Sequence, residues 1–358
     1  MQDLVAKLVR PEIRALKAYH VPEAEGLIKL DAMENPYPWP AEIQDEWLEL
    51  LRGIAINRYP HPQAPAVQSA LRAAMGIPAG MGLVLGNGSD ELIQMLALTV
   101  GGTGCKVLSL DPGFVMYRMI GVFTGMDYVG VPLRPEGFDL DLPAVLDAMD
   151  REQPVLTFIA YPNNPTGNLF DPADIERVIE ASPGLVVVDE AYAPFTDSSF
   201  LPRLGCWPNL LVMRTVSKMG LAGLRLGYLA GPAEWIAEID KVRLPYNINA
   251  LTQISATLAL RHRALFDAQT AAIRAERARL FAALASLDGV QPYPSEANFI
   301  LLRLTGGHAD AVFAGLRARG VLVKNLQGAH PLLAECLRVT VGQPEENAAF
   351  LSALADQL

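Results

Sequence analysis

One lysine of this sequence lies in a setting that suits covalent chemistry. Lys218 belongs to the segment RTVSKMGLAGLRLGY, residues 214–228, where it follows an apolar run and is flanked by glycines. An amine must be unprotonated to attack a carbonyl group, and burial near another cation lowers its pKa. Arg225 supplies such a cation and can also bind a phosphate. A lone lysine is usually solvated, but the glycines and the Thr–x–Ser–Lys pattern favour a reactive lysine here.

A carboxylate ends another apolar run. Asp189 closes the β-branched stretch of VVVDEAYAPF, residues 186–195, and Tyr192 follows three residues later, where it could face the same cleft. A buried carboxylate needs a partner, because an isolated charge in an apolar interior is costly. The segment therefore predicts an acid that pairs with a cation or a hydrogen-bond donor. The alternative, that Asp189 only caps the following helix, stays open.

Two loops are candidates for binding an anion or a polar cofactor. In LGNGSDELIQML, residues 85–96, a glycine-rich turn enters a helix whose first turn carries Ser89 and Asp90, which suits a phosphate. An ordinary helix cap explains these two residues about as well. In AYPNNPTGNLF, residues 160–170, asparagine side chains could donate to a cofactor oxygen. Taken alone, that loop is better explained as a turn held by its own asparagines.

A further cation alternates with apolar residues near the end of the chain. Arg338 lies in CLRVTVG, residues 336–342, which predicts a strand whose neighbouring residues point into a core while the arginine points elsewhere. An edge arginine that extends into solvent explains the pattern equally well.

The elements that must position these residues alternate between strands and helices. From residue 83 onward, short apolar runs without polar alternation predict buried strands of a largely parallel sheet, and hence the α/β class. The predicted strands are Leu83–Leu85, Val107–Leu110, Val155–Ile159, Leu185–Val188 and Leu210–Met213. Such sheets bind ligands beyond the carboxyl ends of their strands, where most of the motifs above lie.

The remaining segments predict an arm and a second, smaller α+β domain. A helix is predicted over residues 41–52, and a long helical region from Leu251 past Leu284. Beyond Pro294 the pattern predicts strand Phe299–Leu302, helix Ala309–Arg319, strands Val321–Val323 and Cys336–Thr340, and helix Glu345–Leu354. We predict an N-terminal arm over residues 1–35 that packs with the small domain or a partner subunit, a large domain over 36–245 and a small domain over 246–358.

Composition argues against several functions. The 358 residues carry a formal net charge of −10 and 51% are hydrophobic, which favours a folded acidic protein and disfavours nucleic-acid binding. The three cysteines and five histidines lack metal-site spacing, so no metal is expected. No apolar run reaches membrane-spanning length, and the first residues lack the apolar core of a signal peptide, so we expect a cytoplasmic protein without membrane contact.

In order and spacing, the motifs GSDE, YPNNPTG, DEAY, TVSK…GLRLGY and LRVTVG resemble those of the fold-type I, aspartate-aminotransferase-like enzymes, which use pyridoxal 5'-phosphate (PLP). The resemblance runs from about Asn35 to Gly342, nearly the whole chain. It implies that Lys218 binds PLP as a Schiff base and that Asp189 pairs with the pyridine nitrogen. It also implies a homodimer, in which Tyr59 reaches the cofactor phosphate of the partner.

Further roles follow from the same resemblance. Asn164 and Tyr192 match the pair that binds the ring hydroxyl of the cofactor, and Phe114 matches an aromatic residue that stacks on the ring. Arg338 matches the arginine that receives the substrate carboxylate. The cofactor phosphate is expected to contact Ser89, Asp90, Thr215, Ser217 and Arg225. In such enzymes the cofactor stores an electron pair, and the lysine, with Tyr192 and Asp189 beside it, moves the proton.

Within this superfamily the chain most resembles the histidinol-phosphate aminotransferases, through IRALKAYHVP, LDAMENPYP, the RYP turn and VLVKNL followed by CLRVTVG. These enzymes of histidine biosynthesis exchange an amino group between histidinol phosphate and 2-oxoglutarate, which gives imidazole acetol phosphate and glutamate. By resemblance, Tyr19, Asn35 and Lys324 help Arg338 to hold the substrates. Lys324 stands where a common pattern has arginine, and a lysine binds phosphate as a point charge.

Three alternatives accompany this interpretation. A broad-range aromatic aminotransferase and a PLP-dependent decarboxylase of phosphorylated amino acids would both use the same Lys218 and Asp189. A PLP-sensing regulator without turnover would need a DNA-binding domain. The roughly 30 residues before the first motif are not strongly basic and leave little room for one.

Overall fold

The structure is a computed structural model that describes residues 2–18 and 22–358. Its strands are β1 Ile28–Lys29, β2 Gly82–Asn87, β3 Lys106–Asp111, β4 Asp127–Pro132, β5 Leu156–Ala160, β6 Leu185–Asp189, β7 Leu210–Thr215, β8 Leu226–Gly231, β9 Val290–Pro292, β10 Phe299–Leu304, β11 Val321–Leu322, β12 Lys324–Asn325 and β13 Cys336–Thr340. Its α-helices are α1 Gln2–Leu8, α2 Pro11–Arg14, α3 Ala41–Arg52, α4 Pro65–Met75, α5 Gly88–Val100, α6 Val115–Thr124, α7 Leu142–Glu152, α8 Pro172–Ala181, α9 Ala233–Asp240, α10 Ala250–Arg261, α11 Arg263–Ala285, α12 Ala309–Ala318 and α13 Pro344–Ala355.

Seven strands form the large sheet, in the order β2-β8-β7-β6-β5-β3-β4. Strand β8 is antiparallel to both of its neighbours, and the other pairs are parallel. Along β6, Val186 and Val188 belong to one apolar core, whereas Leu185 and Val187 belong to another on the opposite face. The sheet is therefore buried on both sides, as parallel sheets usually are, and the predicted α/β fold class is confirmed.

The five predicted strands of this sheet are all present, and two further strands were not predicted. Strand β4 lies at the edge of the sheet and is only partly buried, so its apolar signal is weak. Strand β8 is buried, but its sequence LGYLAG holds two glycines, and its first three residues belong to the segment 214–228 that we interpreted around Lys218. In both strands the apolar run is interrupted, in one by polar positions at the sheet edge and in the other by glycines.

Four strands form the small sheet, in the order β12-β13-β10-β9, with antiparallel pairing throughout. The predicted long helical region is two helices, α10 and α11, which break at His262. The imidazole of His262 lies 2.7 Å from the carboxylate of Glu46 on α3. Helix α10 packs against α3 and α4, on the side of the large sheet.

The N-terminal residues contact both parts of the molecule. Strand β1 pairs in parallel with β11, with Ile28 opposite Val321. The guanidinium of Arg10 donates to the carbonyl oxygen of Phe123 at the end of α6, at 2.6 Å. Within the described ranges, none of the helices combines the length and the apolar character needed to cross a lipid bilayer.

Candidate active site

A cavity of about 390 Å³ opens at the carboxyl ends of the large-sheet strands, a volume typical of small-molecule sites. One side, the sheet wall, consists of residues at or just after strands β2, β5, β6 and β7 and on α6. The opposite side is the strap, residues 30–35, which follows β1. The residues predicted from the sequence that line the cavity are Ser89, Asp90, Phe114, Asn164, Asp189, Tyr192, Thr215, Ser217, Lys218 and Arg225.

Lys218 reaches into the cavity from a 3₁₀ turn directly after β7. Its amine donates to the carbonyl oxygen of Ala32 in the strap at 3.2 Å. Burial and, to a smaller extent, the nearby positive charge of Arg338 lower the pKa of Lys218 to about 8. Near physiological pH, the neutral fraction of this amine is therefore larger than that of a solvated lysine. A nucleophilic amine must be neutral.

Asp189 is the last residue of β6 and is 4% exposed. Its Oδ2 accepts a hydrogen bond from the hydroxyl of Tyr117 at 2.7 Å, and its Oδ1 accepts one from the backbone N–H of Ala191 at 3.0 Å. Burial raises the pKa of Asp189 to about 6, against the lowering effect of these two bonds. Because both donors are uncharged, a cationic ring nitrogen in the cavity would supply the charge that the carboxylate needs.

Arg338, Asn164 and Tyr192 form a buried hydrogen-bonded chain. The guanidinium of Arg338 donates through Nη1 to Asn164 Oδ1 at 2.5 Å and through Nη2 to the carbonyl oxygen of Asp31 at 3.0 Å. The amide of Asn164 donates to the hydroxyl of Tyr192 at 3.1 Å. Arg338 is 7% exposed and lies on β13, between β12 and β10. The alternative of a solvent-exposed edge arginine is therefore wrong.

The five residues that were predicted for the cofactor phosphate all line the cavity, and they are Ser89, Asp90, Thr215, Ser217 and Arg225. Ser89 and Asp90 lie in the first turn of α5, where free N–H groups and the helix dipole favour an anion. The hydroxyls of Thr215 and Ser217 are 2.8 Å apart, and Arg225 is paired with Asp90 at 3.2 Å. Gly88 has a φ of +76°, a backbone conformation that favours glycine, and the Arg225 guanidinium lies close to it.

Three further predicted site residues, Asn35, Lys324 and Tyr59, lie outside the cavity wall. The amide of Asn35 donates to the Met219 carbonyl at 3.1 Å and to Gln269 at 3.0 Å, so it ties the strap to the lysine turn. Lys324 pairs with Arg338 across neighbouring strands. Tyr59 is 82% exposed and its ring stacks on Tyr246 at 4.6 Å. Tyr19 lies outside the described residues.

Apart from small apolar lining residues, the sequence analysis missed Tyr117 and the residues of the strap. Tyr117 follows Phe114 by one helical turn on α6, and that spacing could have revealed it. The strap contributes Ala32, Met33 and Glu34, and its short sequence LDAMEN carries no periodic signal that would place it there.

Residues 25–354 match the model of the family Aminotransferase class I and II. The chain belongs to this family. The class I and II aminotransferases depend on PLP, so the predicted enzyme class and cofactor are confirmed. A protein named histidinol-phosphate aminotransferase 2, from Nitrosococcus oceani, is 55% identical over 353 residues, which cover 99% of this chain and 98% of that protein. A histidinol-phosphate aminotransferase from Chromobacterium violaceum is 54% identical, with 99% of both chains covered.

Solved structures of aminotransferases share the fold of this chain. The histidinol-phosphate aminotransferase of Sinorhizobium meliloti, solved in complex with PLP, superimposes with a TM-score of 0.86 at 24% identity, covering 98% of this chain and 97% of that one. The enzyme of the same name from Clostridium acetobutylicum gives a TM-score of 0.84 at 22% identity, with coverage of 92% and 98%.

Proposed function

We propose that this aminotransferase exchanges an amino group between histidinol phosphate and 2-oxoglutarate. The observation that carries the proposal is the single cavity in which the Lys218 amine and the Asp189 carboxylate lie together with groups that suit a phosphate. The choice of substrate is supported by relatives of that name, 55% and 54% identical over nearly the full length of both chains.

The donor set of the cavity fits PLP. A helix N-terminus, two hydroxyls and the Arg225 guanidinium suit its phosphate. Asp189 suits the protonated ring nitrogen, because the two groups that donate hydrogen bonds to it are uncharged. Asn164 and Tyr192, which share a hydrogen bond, would bind the ring hydroxyl, and Phe114 would cover one ring face. When bound, PLP supplies an electron sink that stabilises the carbanion left by loss of a proton.

Lys218 would hold the cofactor covalently and, once displaced by the substrate amine, carry the proton. Its pKa of about 8 suits an amine that must both accept and return a proton near neutral pH. The Ala32 carbonyl provides an acceptor that fixes the free amine on the strap side of the cavity. Proton transfer by a base positioned in this way contributes about 10²–10⁴-fold to the rate.

Arg338 would bind the anionic group of each substrate in turn. A planar guanidinium matches a carboxylate or a phosphate through two hydrogen bonds, so one residue can serve both half-reactions. Lys324 lies opposite Arg338 on the adjacent strand, where cross-strand side chains share a face, and would add a second positive charge. The substrate contacts expected of Tyr19 and Asn35 from the resemblance stay predictions.

We also propose that the active unit is a homodimer. Tyr59 is 82% exposed and stacked on Tyr246, so it lies at the surface rather than in the cavity of its own chain. An exposed aromatic pair of this kind suits contact with a second subunit. The division into an arm and two domains at residues 35/36 and 245/246 and the cytoplasmic location stay predictions.

Steady-state kinetics test the substrate assignment. With 2-oxoglutarate as acceptor, we expect kcat/KM for histidinol phosphate to exceed that for phenylalanine or tyrosine by at least about 10²-fold, since the phosphate adds charge-assisted hydrogen bonds. Equal values would support the aromatic aminotransferase instead. Release of carbon dioxide from a phosphorylated amino acid, without amino transfer, would support the decarboxylase.

A further inference from the structure

A buried tyrosine connects the acid of the cavity to its aromatic wall. Tyr117, on α6, is 1% exposed, and its hydroxyl donates to Asp189 Oδ2 at 2.7 Å. Its ring stacks on Phe158 of β5 with a centroid distance of 4.6 Å and an interplanar angle of 3°. The edge of the same ring meets Phe114, with centroids 5.5 Å apart. One side chain therefore contacts both the acid and the ring-stacking residue.

The hydrogen bond has a fixed direction. Burial and the Asp189 carboxylate raise the pKa of Tyr117 well above its usual range. The phenol therefore stays protonated and donates a hydrogen bond to the carboxylate. A hydrogen bond donated to the ionised form lowers the pKa of Asp189 and opposes the effect of burial. The backbone N–H of Ala191 occupies the other carboxylate oxygen. The two donors together hold the acid in one orientation.

The aromatic neighbours prevent the hydroxyl from turning away. Phe158 lies parallel to the Tyr117 ring, and Phe114 packs edge-on against it. All three rings belong to or pack on the same apolar core beneath the cavity. The donor is therefore placed before any ligand binds, and no side-chain reorganisation is needed when one arrives.

We propose that Tyr117 is a positioning residue that acts through Asp189, orienting this acid and keeping it ionised toward the ring nitrogen of the cofactor. The proposal rests on the proposed function, because it requires PLP in this cavity. The orientation and the ionisation of Asp189 would then depend on Tyr117, which belongs to none of the sequence motifs. A packing role alone would be retained by phenylalanine, whereas this role requires the hydroxyl.

The test compares two phenylalanine variants of the full chain after removal of the cofactor. Tyr117→Phe keeps both ring contacts and removes only the hydroxyl. Tyr128→Phe is the matched control, because Tyr128 donates to Asp111 at 2.9 Å outside the cavity wall. Each protein is titrated with PLP and with an analogue in which a C–H group replaces the ring nitrogen.

We expect Tyr117→Phe to weaken PLP binding about tenfold, because Asp189 is then no longer oriented and kept ionised before the ligand binds. Binding of the analogue should change little, because Asp189 has no ring nitrogen to bind there. Tyr128→Phe should leave the affinity for both ligands unchanged. Equal weakening of PLP and analogue, or no weakening of PLP, would overturn the proposal. Failure of the wild-type chain to bind PLP would instead overturn the proposed function.

A second measurement separates this role from packing. The raised pKa of Asp189, about 6, means that the contribution of this group to stability falls as the pH rises from about 4 through 6, because the unfolded chain gives up the proton more readily. Without the Tyr117 hydroxyl this pKa rises further, so the fall continues to higher pH. The difference in unfolding midpoint between wild type and Tyr117→Phe should therefore grow between pH 4 and pH 8. A constant difference would indicate packing alone and would overturn the proposal.

Discussion

The two walls of the cavity are built in different ways. On the sheet wall, Asp189 and Thr215 are the last residues of strands, and Lys218 follows a strand by three residues. The strap has no helix or strand after β1, and distant residues hold it in place. Asp31 is bound by Arg338, 307 positions away, and Met33 by Asn298, 265 positions away. The first wall therefore depends on local sequence, and the second on the folding of the whole chain.

Two cations join the walls. Lys218 belongs to the sheet wall and donates to the strap at Ala32. Arg338 comes from the small sheet and donates to Asn164 on one wall and to Asp31 on the other. A substrate anion that binds Arg338 therefore competes with contacts on both sides of the cavity. The three predictions below test how far the walls depend on each other.

The largest effect is expected at Arg338, which contacts both walls. Arg338→Gln removes a cation that can bind a carboxylate through two charge-assisted hydrogen bonds, so the KM for 2-oxoglutarate should rise about 10²-fold. Steady-state kinetics of the full reaction, with the concentration of 2-oxoglutarate varied, provide the measurement. Lys324→Gln, on the neighbouring strand, is the comparison and should raise KM less. A KM within a factor of two of wild type would show that Arg338 only ties the walls together.

The second prediction concerns the Lys218 amine, which is held between the walls. Its pKa of about 8 lies below the ordinary lysine value of about 10.4, so the unfolded chain binds more protons between these limits. The cofactor-free protein should therefore gain stability relative to Lys218→Met as the pH rises from 8 to 10.4, by about 3 kcal/mol in full. Urea unfolding across this range measures the difference. Parallel stability curves would mean that the amine is solvated.

The smallest effect is expected when only the strap is loosened. Asn298→Ala removes the donor to the Met33 carbonyl, which should cost about 1–3 kcal/mol of stability. We expect kcat/KM to fall about tenfold through misplacement of the strap, with the PLP affinity unchanged.

Asn209→Ala is the control for this change. The Asn209 amide holds the carbonyls of Ile179 and Gly184 at 3.0 and 3.2 Å, away from the cavity. It should lower stability by a similar amount and leave kcat/KM as in wild type. If both variants lose activity equally, the strap has no special part in the site.

The sequence predicts the sheet wall well for a physical reason. Each of its polar residues follows a buried apolar run, and the carboxyl ends of parallel strands meet at one edge of the sheet. Asp189 at the end of β6 and Lys218 after β7 could therefore be expected to lie together. The specific roles of these residues came from the resemblance of the ordered motifs and stay predictions.

The strap could not be predicted from local sequence. Ala32 enters the site through its backbone carbonyl, an atom that every residue carries, so its residue type gives no signal. Asn35 was expected at the substrate, whereas its amide binds Met219 and Gln269. Such contacts depend on how the small sheet packs against the large one. The residue pattern of a single segment does not predict this packing.

The central claim is that the amine of residue 218 and the carboxylate of residue 189 serve one PLP molecule. Borohydride reduction of the wild-type holoenzyme, followed by proteolysis and mass spectrometry, tests it most directly. We expect one pyridoxyl adduct, on Lys218, and a marked loss of that label when Asp189→Ala is treated at limiting PLP. An adduct on another lysine, or labelling that Asp189→Ala leaves unchanged, would contradict the account.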